Sequence, residues 1–108
     1  MPQLKIKNVD VNDICKISIA LVEEMQELLQ CPKNYFELEC VNSTYIMDGI
    51  IVKGSTIVEI AWFYRGQEVQ DTMAEIITKY IHIAGYKDVD VIFSILEEKK
   101  YYENGEHF

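Results

Sequence analysis

The feature that most restricts what this chain can fold into is an internal repeat with an offset of 55 residues. From Asn12 to Gln30 the apolar residues Ile14, Ile17, Leu21, Val22, Met25, Leu28 and Leu29 recur at helical spacing. From Gln67 to Ala84 a second stripe follows: Val69, Met73, Ile76, Ile77, Tyr80, Ile81 and Ala84. Moving the first half forward by 55 places Ile14 on Val69, Leu21 on Ile76, Val22 on Ile77, Met25 on Tyr80, Leu28 on Ile83 and Leu29 on Ala84. Phe36, Leu38 and Cys40 land on Val91, Phe93 and Ile95, so every pair is apolar on both sides.

Each stripe sits between strand-like runs. Gln3-Leu4-Lys5-Ile6-Lys7 and Phe36 to Val41 alternate with period two, and Thr44 to Met47 extends the second run past a bend at Asn42-Ser43. Thr56 to Phe63 is nearly continuous in apolar residues, and Val89 to Leu96 is the last long strand. Asp10 or Asn12 caps the first helix, Cys31-Pro32 ends it, and Gly85 ends the second. Asp48-Gly49 and Lys53-Gly54-Ser55 carry turn chemistry and mark the midpoint.

The reading is a tandem βαβ repeat, residues 1–54 and 55–108, forming one α+β domain over 1–108. Right-handed crossovers put each pair of strands parallel. Two units side by side give a four-stranded mixed sheet with two helices on one face. Ile57, Val58, Ile60 and Trp62 suggest apolar residues on both faces of the third long strand. A monomer would then expose a large apolar patch, which predicts an oligomer that covers the bare sheet face.

Composition narrows the function classes. The net charge of −8 divides as −3 over residues 1–54 and −5 over 55–108, so neither half offers a basic surface and nucleic acid is not an expected partner. No long apolar run predicts a membrane span, and the start of the chain lacks a signal-peptide layout. Cys15, Cys31 and Cys40 are odd in number and lack C-x-x-C spacing, and His82 and His107 lie far apart. These residues predict no disulfide framework, no metal and no cofactor, in a reducing cytoplasm.

Pro2 is the candidate for chemistry. Removal of Met1 leaves a secondary amine that can take and return a proton, whereas an attached methionine leaves an amide with no basicity. Many chains begin Met-Pro without catalytic purpose, so the dipeptide alone is a weak signal. In a parallel βαβ unit both strands start at one end, so Pro2 lies near Lys33, Asn34, Tyr35 and Phe36. Antiparallel pairing of residues 3–7 with 57–63 brings Trp62-Phe63-Tyr64-Arg65 to the same place.

The amino-terminal proline, the doubled βαβ and the implied oligomer together resemble the tautomerase superfamily, which includes macrophage migration inhibitory factor. The segments Asn42-Ser43-Thr44-Tyr45, Trp62-Phe63-Tyr64-Arg65, Gln70-Asp71 and Tyr101 to Phe108 resemble more closely its bacterial domain-of-unknown-function family nineteen-oh-four. The resemblance spans the whole chain and implies a tautomerase-like fold, a homotrimer and Pro2 as acid–base catalyst. The implied reaction is keto–enol tautomerisation of a small 2-oxo acid or enol. The competing reading is a ligand-binding or assembly protein that keeps the fold without the chemistry.

Around Pro2 the residues themselves supply the rest. Arg65, the chain's one arginine, reads as a two-pronged clamp for a substrate carboxylate or as a turn residue pairing with Glu68 or Asp71. The unpaired N–H groups of Gly66, Gln67 and Glu68 favour an anion beside it, and Lys33 is the next cation. Tyr35, Phe36, Trp62, Phe63 and Tyr64 form an apolar wall. Glu59 either faces solvent or a subunit edge, or is a partly buried acid. In the tail, Asn104-Gly105 predicts a tight hairpin. Its rings Tyr101, Tyr102, His107 and Phe108 are expected to pack on a neighbouring subunit, with His107 a weaker catalytic candidate.

Overall fold

The computed structural model describes residues 2–107; Met1 and Phe108 lie outside the described residues. The first half comprises β1 (Gln3–Lys7), α1 (Val11–Leu29), a 3-10 turn at Lys33–Tyr35 and β2 (Glu37–Val41). A hairpin of β3 (Tyr45–Met47) and β4 (Ile50–Val52) links it to the second half. That half repeats the order with β5 (Thr56–Trp62), α2 (Gln67–Ile83) and β6 (Val89–Ile95), and ends in a small hairpin of β7 (Tyr102–Glu103) and β8 (Glu106–His107).

The tandem repeat is present as read. The sheet order is β2-β1-β5-β6; β1 pairs parallel with β2, β5 pairs parallel with β6, and the halves join antiparallel through β1 and β5. The helix start is set by Asp10, whose carboxylate accepts the Asn12 N–H at 2.8 Å. Gln30 closes the helix in the left-handed conformation, φ 52°. Lys79 bridges the two helices by pairing with Glu24 at 2.6 Å. Tyr86 ties the α2–β6 loop to the start of α1: its hydroxyl donates to Asp13 at 2.6 Å and accepts the Asp10 N–H at 2.7 Å.

One face of the sheet holds the core. Leu4 and Ile6 of β1 and Val58, Ile60 and Trp62 of β5 are buried against Ile14, Leu21, Met25, Met73, Ile77 and Ile81 of the helices. Val58, Ile60 and Trp62 all belong to the buried set, while Ile57 and Ala61 fall on the other face, so β5 carries apolar residues on both faces, with the larger ones in the core. Alternation sends Glu59 to the open face, where it pairs with Lys7 at 3.2 Å. Lys5, Glu37, Glu39 and Asp90 share that parity in their strands, and so do Val41 and Ile92, so the open face mixes charged and apolar residues.

A more exposed apolar surface lies elsewhere. Thr44 to Met47 does not extend β2; Tyr45–Met47 folds back on Ile50–Val52 through Asp48-Gly49, both at positive φ (50° and 74°). Ile46, Met47, Ile50 and Ile51 are 63–76% exposed. The base of this hairpin is pinned by Asn8, whose side chain donates to the Ser55 carbonyl at 2.6 Å and accepts from Ser43 at 3.2 Å. Gly54 makes that closure possible, since a Cβ there would stand 2.7 Å from the Tyr45 ring.

Candidate functional site

The topology gathers one end of the molecule around Pro2. Pro2 directly precedes the Gln3–Ala61 pair that ends the β1–β5 register, at the end where Trp62 follows Ala61. On the other side its carbonyl accepts the Glu37 N–H at 3.1 Å. The 3-10 turn at Lys33–Tyr35 precedes β2 at this end, and the segment Phe63 to Gly66 leaves β5 here before α2 begins. The chain also leaves β6 here, with the Leu96 N–H donating to the Trp62 carbonyl at 2.7 Å.

The residues expected to serve the site reach this end, but in different settings. The Pro2 ring is fully buried on the helix side of the sheet. Lys33, Tyr35 and Tyr64 are exposed, Tyr64 by 47%. Trp62 and Phe63 do not form one wall, because successive residues of a strand point to opposite faces. Trp62 packs in the core against Phe93 at 5.2 Å between ring centroids, while Phe63 is half-buried and meets Tyr101 edge-on at 5.7 Å. Tyr101 thus contacts Phe63 of its own chain.

Arg65 differs from its bland expectation too. Its Nη1 donates to the Leu29 carbonyl at 2.7 Å, closing the C-terminal turn of α1, and it pairs with neither Glu68 nor Asp71. Asp71 instead accepts from Gln67 at 2.8 Å. A guanidinium has five N–H donors, so one bond to Leu29 fixes the group and leaves donors for an anion. Beside it α2 starts at Gly66, φ 97°, with no side chain capping its first turn. An open groove of about 530 Å³ runs along the end of α1, but Glu23 and Glu27 line it, which disfavours a carboxylate ligand.

In the tail the expected hairpin forms. Asn104 and Gly105 take φ 52° and 84°, and Tyr102 pairs with His107, their rings 4.5 Å apart. His107 Nδ1 lies 3.4 Å from the Glu98 carbonyl, a contact within the tail. The expected packing of Phe108 falls outside the described residues. Among the described residues no group of three His, Cys, Asp or Glu side chains is placed to hold a metal ion, and no helix is long and apolar enough to cross a membrane.

Residues 1–107 match the family "Domain of unknown function (DUF1904)", and the chain belongs to it. A crystal structure of a DUF1904 domain from Sebaldella termitidis ATCC 33386 shares 30% identity over 100% of both chains, with a TM-score of 0.91. A macrophage migration inhibitory factor-like protein from Entamoeba histolytica shares 17% identity over 99% of this chain and 98% of its own, TM-score 0.74. Pt0534, in a structure inactivated by 2-oxo-3-pentynoate, shares 8% identity over 98% of this chain and 93% of its own, TM-score 0.75. The last two likenesses are of fold: the chain has the tautomerase architecture. A search of curated proteins finds no match.

Proposed function

We propose that this member of the DUF1904 family is an isomerase of the tautomerase kind, working in the cytoplasm as a homotrimer. Loss of Met1 exposes the Pro2 amine. That amine removes a proton from the carbon beside the carbonyl of a small 2-oxo acid, the electron pair moves to the carbonyl oxygen, and the proton is returned to give the tautomer. Arg65 holds the substrate carboxylate with the donors that Leu29 does not use, Lys33 adds a point charge, and Tyr35, Phe63 and Tyr64 border the site. The observation that carries this reading is the convergence of Pro2 with Arg65 and the uncapped start of α2 at one end of the fold. Fixing carboxylate and reacting carbon together is what raises the rate of such a step.

The test uses protein whose intact mass shows that it starts at Pro2. 2-Oxo-3-pentynoate should add to the Pro2 nitrogen through its alkyne, forming an N–C bond with the proton passing to carbon. The mass then rises by that of the whole reagent, on the N-terminal peptide. Enol ketonisation should fall about 10²- to 10⁴-fold in Pro2→Ala. Labelling elsewhere together with unchanged turnover in Pro2→Ala overturns the proposal.

The trimer rests on a different surface from the one first expected. The open sheet face mixes charged residues with Ile57, Ala61 and Ile92, whereas the β3–β4 hairpin presents the more exposed Ile46, Met47, Ile50 and Ile51 to solvent. An apolar strand pair with free edges is a surface that seeks a partner. This observation also favours a second reading, an assembly protein without turnover. A trimer that neither labels nor isomerises 2-oxo acids supports that reading over the first.

A further inference from the structure

The end of the sheet opposite Pro2 carries a hollow that the proposed chemistry does not use. β5 begins there at Thr56 and ends at Trp62, so the length of the strand, roughly 20 Å, separates the two ends. The hollow has a volume of about 440 Å³, within the range of small-molecule sites, about 300–1,000 Å³. Two loops form it: Lys53 to Ser55, which leads into β5, and Gly85 to Asp88, which leads into β6. Each loop is tied down. Asn8 donates to the Ser55 carbonyl at 2.6 Å, and the Tyr86 hydroxyl accepts the Asp10 N–H at 2.7 Å and donates to Asp13 at 2.6 Å. The walls are therefore set before a ligand arrives.

The chemistry of these walls suits an anion. Each loop carries one lysine, Lys53 and Lys87, and among the described residues neither pairs with a carboxylate. In a chain of net charge −8, two uncommitted cations at one hollow run against the general balance. Thr56 is an independent sign of a ligand. It is 5% exposed and lines the hollow, yet among the described residues its hydroxyl makes no hydrogen bond. Buried polar groups are overwhelmingly paired, and a valine at the same place would fill the space without an unmet hydroxyl. Asp88 on the same rim adds an acceptor.

We propose that this hollow binds the phosphate monoester of a small polyhydroxy compound, a sugar phosphate. Lys53 and Lys87 hold the phosphate from the two loops, and the Thr56 hydroxyl donates to one of its oxygens. A phosphate group has three strong acceptor oxygens, which matches donors that arrive from separate directions. Asp88, which repels a bare anion, accepts from a hydroxyl of the sugar. The binding makes and breaks no bond and is independent of Pro2.

Ribose 5-phosphate is titrated into ¹⁵N-labelled protein, with ribose and inorganic phosphate as probes that each lack one part. The Gly54, Thr56 and Lys87 amide signals should shift saturably with ribose 5-phosphate, while the indole signal of the single tryptophan, Trp62 at the far end, stays in place. Inorganic phosphate should bind roughly tenfold more weakly, the loss of one hydrogen bond to a charged group. Lys53→Gln with Lys87→Gln should lower ribose 5-phosphate affinity by about 10- to 100-fold, and Thr56→Val by about two- to tenfold. Asp88→Asn should narrow the gap between ribose 5-phosphate and inorganic phosphate. No saturable shift at these amides, or unchanged affinity in the double lysine variant, overturns the proposal. Equal affinity for inorganic phosphate and ribose 5-phosphate overturns it too, because the sugar then contributes nothing. Lys53 and Lys87 are exposed, so the double variant decides the matter even if Thr56→Val folds poorly.

Discussion

The two halves share one backbone plan and diverge in the hairpin that follows each second strand. Asp48-Gly49 and Asn104-Gly105, 56 positions apart, both make the tight turn with two residues at positive φ. Around the first turn stand Ile46, Met47, Ile50 and Ile51; around the second stand Tyr102, Glu103, Glu106 and His107. One hairpin is apolar and exposed, and the other is charged with its two rings stacked on each other. A repeated backbone therefore does not impose a repeated surface: turn chemistry is local, while side chains are free to serve assembly in one copy and solvent in the other.

The largest expected effect breaks that contrast. Ile46→Asp with Ile51→Asp should turn the proposed trimer into a monomer by light scattering at micromolar concentration, because charge cannot be buried there unpaired. Glu103→Lys on the second hairpin should leave the mass unchanged. Equal dissociation by both, or by neither, removes the distinction between the hairpins.

Gly54→Ala comes next. The added Cβ would stand 2.7 Å from both the Tyr45 ring and the Asn8 side chain. Overpacking of this kind should cost about 1–3 kcal/mol in denaturant melts. Gly105→Ala strains a left-handed position, φ 84°, with nothing within 4 Å of the new carbon. It should cost less, and a reversed order would show that the first hairpin is not pinned at its base.

A smaller effect belongs to Tyr86→Phe, which removes the hydroxyl bridging Asp10 and Asp13. Urea melts should show a loss of about 0.5–1.5 kcal/mol. Burial, then the Asp13 hydrogen bond, raises the Tyr86 pKa. A raised folded pKa favours the protonated hydroxyl, so its contribution is full below the unfolded value near 10. That contribution disappears as pH rises through the folded pKa, and Tyr86→Phe should flatten the alkaline limb.

The smallest effect joins the two halves at their helices. Lys79, with Tyr80 contributing, lowers the Glu24 pKa through hydrogen bonding. A depressed carboxylate pKa adds stability above the unfolded value of 4.5 and loses it as pH falls through the folded one. Glu24→Gln should therefore lower melting slightly at neutral pH and converge with the wild type as pH falls through the folded pKa, flattening the acid limb. An unaltered acid limb would remove the pair from the contacts between the halves.

The sequence by itself determined the two βαβ units, their helix limits and both turn dipeptides, because helical period, caps and Asn/Asp-Gly turns are local signals. It also brought Pro2, Lys33 and Arg65 to one end, since parallel crossovers and the antiparallel join leave little choice of topology. The parity of β5 was not legible: in Thr56 to Phe63 nearly every position is apolar, and of Ile57, Glu59 and Ala61 on the open face only Glu59 differs in kind. Tertiary structure decided that parity through the pairing of Leu4 with Ile60 and Ile6 with Val58. It also decided that Arg65 bonds the Leu29 carbonyl 36 residues away and that, among the described residues, the Trp62 nitrogen meets no acceptor. Hydrogen bonds between distant segments depend on where backbones meet in space, and no periodicity along the chain encodes that meeting.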